Sequence, residues 1–152
     1  MKPVVRLKLL EGAMKLQWSD SLSVGNSLMD SDHRNLLGMM ITVEHALRSG
    51  NPLILSQAFQ RLVVGVGIHF VNEEQLARAV ALPFEDIRKM NLYLQRELEH
   101  MRSELDAKDG IWSEGAIEHF SLSLRNWMAA HIGRDERLLK PALIPHPYDL
   151  KP

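Results

Sequence analysis

Apolar residues recur every three or four positions in four separate stretches of the chain, which is the spacing of one face of an α-helix. Short polar or proline-containing segments separate the stretches, which cover about residues 30–50, 52–82, 84–105 and 113–141. Residues 15–30 instead mix Ser, Asp, Asn and Gly with isolated apolar residues. The pattern predicts an all-α, up-down-up-down four-helix bundle with an irregular N-terminal arm, anchored by Trp18.

Capping residues and prolines predict where these helices begin and end. The side chain of Asp30 or Ser31 can accept from a free amide of the first helix, and Asn51 can do so for the second. The second helix is expected to end at Pro83 and the fourth before Pro141, because proline cannot continue the hydrogen-bond ladder.

Ionisable residues interrupt the apolar face of the second helix. His69 and Glu73 fill two gaps in its stripe. Because they are four residues apart, their side chains lie on the same helix face and can share one cation. The alternative is a buried histidine hydrogen-bonded to a buried glutamate without any metal. A carboxylate is costly to bury without a cation or several donors, so this stripe needs partners from other helices.

The other helices offer such partners. His33 lies on the inner face of the first helix, and His131 continues the stripe of the fourth. Three inward histidines with two carboxylates are typical of an iron or manganese carboxylate site in a helical bundle. The candidate metal ligands are His33, His69, Glu73, His131 and either Asp135 or Glu136.

The third helix differs, because its predicted inner face carries no histidine. That face is formed by Ile87, Met90, Leu94, Leu98, Met101 and Leu105.

Composition narrows the classes of protein. With 152 residues and a net charge of −1, the chain fits one domain over residues 1–152 with its core at about 16–143, and it has no basic patch for nucleic acid. The absence of cysteine excludes disulfides, Cys-ligated zinc and iron–sulfur clusters. No uncharged run reaches the length of a membrane span, and residues 1–14 are not a clean apolar leader, so a soluble cytoplasmic protein is expected.

The order of the motifs resembles that of the bacterial hemerythrins, non-haem di-iron proteins that bind dioxygen reversibly in a four-helix bundle. The resemblance spans roughly residues 16–143. The segments that carry it are Trp18-Ser19-Asp20, Asp30-Ser31-Asp32-His33, His69-Phe70-Val71-Asn72-Glu73-Glu74 and Trp127-Met128-Ala129-Ala130-His131-Ile132.

The resemblance implies roles for individual residues. His33 and His69 correspond to histidines of one iron, Glu73 to a bridging carboxylate, and His131 to a histidine of the other iron. The second bridge of the family lies five residues after the fourth-helix histidine, which favours Glu136.

Helix geometry favours Asp135 instead, because a residue four positions after His131 lies closer to its face. The two criteria disagree, and the family register, supported by the position of Pro141, gives Glu136 a slight preference over Asp135.

The chain departs from the family in its third helix, where the family has a His-x-x-x-His pair. The corresponding residues are Arg88 and Leu92 without a gap, or Arg96 and His100 after a shift of eight. The second iron site is therefore expected to be weak, empty or rebuilt. Arg88 or another cation could replace the missing metal charge.

The resemblance implies a protein that binds or senses dioxygen or a related small ligand at an atypical, incomplete di-iron site holding one or two non-haem irons. Two alternatives remain open. One is an iron enzyme that reacts with dioxygen, peroxide or nitric oxide. The other is a bundle with one metal or none that serves as a regulatory or interaction module. The sequence predicts no nucleic-acid or membrane partner and leaves the oligomeric state open.

Overall fold

The computed structural model describes residues 16–143, which fold into four long helices preceded by a short 3-10 turn at Asp20–Leu22. The helices are α1 (Ser27–Ser49), α2 (Pro52–Ala79), α3 (Phe84–Ala107) and α4 (Glu114–Leu143). α1 packs against α2, α2 against α3, α3 against α4 and α4 against α1, with short connections between them. The predicted all-α, up-down-up-down bundle is confirmed.

The start of α1 differs from the prediction. Its N-cap is Asn26, whose Oδ1 accepts from the backbone N–H of Met29 at 3.0 Å. Asp30 lies inside the first turn, where its carboxylate accepts from the backbone N–H of Val24 at 3.0 Å and from the hydroxyl of Ser23. Asp30 therefore fastens the preceding arm to α1, and the prediction that Asp30 or Ser31 caps the helix was wrong.

The N-terminus of α2 agrees with the prediction, whereas the C-termini of α2 and α4 lie at other residues than predicted. Asn51 caps α2 as predicted, its Oδ1 accepting from two backbone amides at 3.0 and 3.2 Å. α2 already ends at Ala79, ahead of Pro83. α4 continues through Pro141 to Leu143. Because Pro141 lies in the last turn, it leaves only the carbonyl of Arg137 without its helical partner, which the helix tolerates. Pro145 and Pro147 lie outside the described residues.

The apolar core is divided into a larger and a smaller cluster. The smaller consists of Val24, Met29, Leu76, Val80, Leu139 and Leu143. The larger begins at Leu36 on α1 and fills most of the remaining bundle. On α1 the buried His33 lies between Met29 of the smaller cluster and Leu36 of the larger one. On α2 Glu73 lies between Phe70 and Leu76, and on α4 Asp135 lies between Ile132 and Leu139, so a polar layer lies between the two apolar clusters.

The inner face of α3 matches the predicted one except at one position, where Asn91 is buried instead of Met90. Its buried residues are Ile87, Asn91, Leu98 and Leu105. Met90 is 36% exposed, whereas Asn91 is 1% exposed. The prediction chose Met90 because methionine is apolar and asparagine is not. Here a polar side chain occupies the buried position at the start of the α3 face.

α2 is long and apolar enough to cross a membrane if length and composition alone are considered. Central helices of soluble bundles pass the same test, and α2 carries buried His69 and Glu73. The finding is therefore weak support for a membrane span, and the expected location of the protein stays a prediction.

Candidate metal centre

Three imidazoles from three helices meet inside the polar layer. Nε2 of His69 on α2 lies 3.0 Å from Nε2 of His131 on α4. Nε2 of His33 on α1 lies 2.9 Å from Oδ2 of Asp135 on α4. The potential ligand atoms of these four buried residues all lie within 4.8 Å of one another. Histidines that the sequence resemblance divides between two irons therefore lie in one cluster.

Asp135 provides the carboxylate at the centre of this cluster. Its Oδ2 also lies 3.1 Å from Nε2 of His131 and 3.3 Å from Nε2 of His69. Glu136 is only partly buried and lies outside the cluster, so the preference for Glu136 is corrected to Asp135. The reason is helical geometry: a residue five positions after His131 is turned away from it by about 140°, whereas the fourth lies above it.

Glu73 on α2 is not one of these four residues but lies directly beside them. Its Oε2 lies 3.4 Å from Nε2 of His69 and 3.5 Å from Nε2 of His131. That oxygen is buried and makes no hydrogen bond within residues 16–143. A buried carboxylate oxygen without a donor is unfavourable, and a cation shared with the facing nitrogens would satisfy it.

Arg134 is the residue that the sequence analysis missed. Its Nη2 donates to Oε1 of Glu73 at 2.6 Å and to Oδ1 of Asp135 at 3.1 Å, and its side chain is 8% exposed. Arg88, the cation considered from sequence, is exposed and lies 4.0 Å from Glu85. The available signal was the position of Arg134 three residues after His131, on the side of α4 that faces α2.

Asp32 orients one of the imidazoles. Its Oδ2 lies 2.9 Å from Nδ1 of His69 and also accepts from Nδ2 of Asn72 at 3.1 Å. With a proton on Nδ1 donated to Asp32, His69 presents the lone pair of Nε2 to the cluster. Metal-binding histidines are commonly oriented by a carboxylate in this way. The sequence analysis quoted Asp32 only as part of a motif, although it directly precedes His33.

Burial and neighbouring charges shift the pKa values of the cluster in different directions. Burial raises the pKa of Asp135, but the nearby His131, together with hydrogen bonds from the three imidazoles, outweighs it and holds the pKa well below the usual range. Burial lowers the pKa of His69, but its contacts with the carboxylates of Asp135, Asp32 and Glu73 outweigh burial and hold this pKa well above the usual value. For His33 burial dominates, and its pKa is lowered.

The spacing of the donor atoms fits a single metal ion. Bonds of about 2.1 Å place neighbouring ligand atoms about 3.0 Å apart in an octahedron and about 3.4 Å apart in a tetrahedron. The closest contacts of the cluster span 2.9 to 3.5 Å. The donors are imidazole nitrogens and carboxylate oxygens, a set that suits iron, manganese or zinc. The type of these donors and their closest spacing therefore suit a single divalent cation.

A comparison with models of protein families identifies the family of this chain. The family model for the hemerythrin HHE cation binding domain matches residues 24–143. The chain belongs to this family. Comparisons with curated proteins and with solved structures give no significant match. The hemerythrin-type bundle and a His/Asp cluster for a cation are thus supported independently of each other.

The hemerythrin-like centre receives no histidine from α3. Arg88, Leu92 and Arg96 are exposed, and His100 instead pairs with Glu104 on the surface at 2.9 Å. These are the positions at which the resemblance would put a second histidine pair. The resemblance thus accounts for the candidate ligands on α1, α2 and α4, whereas α3 buries an asparagine and no histidine.

Asn91 is the polar residue that α3 buries. Neither its Oδ1 nor its Nδ2 has a hydrogen-bond partner within residues 16–143. One turn further along α3, the carbonyl of Leu94 accepts from Nε1 of Trp127 at 2.9 Å. Because α3 and α4 run antiparallel, this contact places Asn91 close to the level of His131, one turn beyond Trp127 on α4. Asn91 is therefore a buried polar side chain of α3 that lies close to the level of His131 along the bundle axis.

Proposed function

We propose that this hemerythrin-like protein holds non-haem iron and binds or senses dioxygen or a related small ligand. The observation that carries the proposal is the convergence of donor atoms from three helices. Nε2 of His33, His69 and His131 face the carboxylate oxygens Oδ2 of Asp135 and Oε2 of Glu73 at 2.9 to 3.5 Å.

The type and number of the donors support iron with an open position. Nitrogen and oxygen donors without thiolate suit a metal that prefers six ligands, and iron meets this description. Three imidazoles and two carboxylate oxygens would fill five of six positions. The remaining position is then available to a small molecule. Zinc and manganese would accept the same donors, so the proposal requires metal identification.

The burial of the centre supports a small ligand. The side chains of His33, His69, His131, Glu73 and Asp135 are each at most 2% exposed. Apolar clusters lie on both sides of the polar layer. A large or strongly hydrated substrate could not reach such a site without separating the helices, whereas a diatomic molecule needs little space.

The proposal is tested by metal analysis and spectroscopy of the full chain purified without chelator. We expect iron in the wild-type protein and none in His69→Ala, with the surface variant His100→Ala retaining wild-type content. An absorption band that forms with dioxygen and disappears on its removal would support reversible binding. A chain that takes up no metal under any condition would contradict the proposal and leave the regulatory or interaction module as the function.

A second candidate function is redox chemistry on peroxide or nitric oxide. The observation in its favour is Arg134, whose Nε and Nη1 are buried and lack a partner within residues 16–143. These N–H groups can donate to a ligand that gains negative charge, which is how a positioned cation assists such chemistry. Catalytic loss of added peroxide by the iron-loaded chain would support this enzyme activity over simple binding.

A further inference from the structure

The two carboxylates of the centre divide their oxygens between different partners. Asp135 directs Oδ2 to the three imidazoles and Oδ1 to Nη2 of Arg134 at 3.1 Å. Glu73 directs Oε2 to two of the imidazoles and Oε1 to the same Nη2 at 2.6 Å. Each carboxylate thus bridges the imidazole cluster and one guanidinium nitrogen.

A carboxylate that bridges two metal ions gives one oxygen to each ion. Here the oxygens that would bind a second ion both contact Nη2 of Arg134. An arginine side chain stays protonated at any physiological pH, so this position carries a permanent positive charge. We propose that the guanidinium of Arg134 takes the place of a second cation and that the centre binds a single metal ion.

The distribution of ligands agrees with one metal ion. All three imidazoles lie in one group with Asp135, and no second buried group of this kind occurs in residues 16–143. The buried residues of α3 are Ile87, Asn91, Leu98 and Leu105, none of which is a histidine or a carboxylate. Within residues 16–143 the carboxylate oxygens left for a second metal ion are therefore the two that Arg134 already contacts.

The sum of the charges in the polar layer also agrees with a single metal ion. Glu73, Asp135 and Asp32 supply three negative charges around the centre. A divalent metal ion and the guanidinium of Arg134 supply three positive charges. A second divalent ion would leave an excess of two positive charges in a buried layer, which is strongly unfavourable.

This inference rests on the metal binding proposed above, and a titration of the metal-free full chain with Mn²⁺ tests it. The electron paramagnetic resonance signal of free Mn²⁺ disappears on binding, so the titration counts bound ions directly. We expect one Mn²⁺ per chain in the wild type, even with excess metal. Uptake of two ions by the wild type would overturn the inference while leaving metal binding intact, whereas uptake of none would remove both.

Two substitutions test the role of the guanidinium. In Arg134→Ala the far oxygens of Glu73 and Asp135 are released, and we expect a second Mn²⁺ to bind. Arg134→Lys keeps a positive charge and should remain at one ion, as should the exposed control Arg137→Ala. A stoichiometry of one in folded Arg134→Ala would contradict the proposed substitution. If Arg134→Ala does not fold, Arg134→Gln removes the charge with less loss of volume and should likewise bind a second Mn²⁺.

Discussion

Two carboxylate–guanidinium contacts inside this bundle differ in what they leave unsatisfied. Arg125 on α4 binds both oxygens of buried Glu44 on α1, at 2.6 and 2.7 Å. Arg134 binds one oxygen each of Glu73 and Asp135. The first pair is complete and needs no further ligand. The second leaves two carboxylate oxygens facing three imidazoles, and this surplus of ligand atoms distinguishes a site from a structural contact.

The largest expected difference between the two contacts is in metal affinity. Asp135→Asn keeps the shape of the side chain but removes its charge from the cluster. We expect the affinity for Mn²⁺ or Fe²⁺ to fall by more than the roughly 10–100-fold that loss of an outer hydrogen bond costs. Competition with a coloured chelator measures it.

Glu44→Gln is the matched control for this substitution. Glu44 is eleven residues from His33, or about 16 Å along α1, so its amide variant should bind metal with wild-type affinity. Equal affinities for Asp135→Asn and the wild type would mean that Asp135 is not a ligand.

The next effect concerns the orientation of His69. Asp32→Asn weakens the contact at 2.9 Å that fixes Nδ1, and we expect metal affinity to fall about 10–100-fold. Asp30→Asn is the control, because Asp30 binds the N-terminal arm instead. The chelator competition used for Asp135→Asn serves here too. If both variants bind metal equally well, Asp32 does not support the centre.

Much of this centre could be predicted from sequence, because histidines at apolar helix positions must lie inside. His33, His69 and His131 were identified by helical spacing alone, and the structure brings them together. The structure brings Asp135 and not Glu136 to the imidazoles, whereas the sequence analysis gave the register of the family slightly more weight than the geometry of an α-helix. Local geometry was the better guide here, since the two residues differ by about 100° around α4.

Arg134 and Asn91 could not be found by the same reasoning. A pattern of apolar residues assigns charged and amide side chains to the surface, whereas these two are 7% and 1% exposed. Their burial depends on partners or neighbours from other helices, which no single helix reveals. Asn26 was missed for a different reason: several residues near the start of α1 can serve as caps, and the contacts of Asp30 with the preceding Ser23 and Val24 decide among them.

A third prediction concerns the stability of the complete pair. Arg125→Met leaves Glu44, which is 3% exposed, without its cation. Loss of one partner from a fully buried pair costs about 3–5 kcal/mol, and because Arg125 is partly exposed we expect about 2 kcal/mol. Urea denaturation measures this loss, and metal affinity should not change. An unchanged free energy of unfolding would show that the pair contributes nothing.

The pH dependence of metal binding separates the two contacts as well. The pKa of His69 is held well above its usual value, so this imidazole must lose a proton before it can bind a metal. The affinity should therefore rise about tenfold per pH unit up to that pKa and stay constant above it. The pKa of Arg125 is raised by its hydrogen bonds with Glu44, so Arg125 stays charged across this range.

Chelator competition between pH 6 and 9 measures this dependence. In Asp32→Asn one of the contacts that raise the pKa of His69 is weakened, so the rise in affinity should end at a lower pH than in the wild type. A flat profile in both proteins would show that His69 is already neutral in the metal-free chain.

The smallest expected effect concerns Asn91, a buried polar group with no partner for either amide atom within residues 16–143. Leucine has a similar volume and no polar atoms, so Asn91→Leu should stabilise the metal-free chain by about 1 kcal/mol. This corresponds to a rise in Tm of about 2–4 °C, measured by circular dichroism. A fall in Tm would show that the amide makes a hydrogen bond in solution, which would place Asn91 with the satisfied groups such as Glu44 instead.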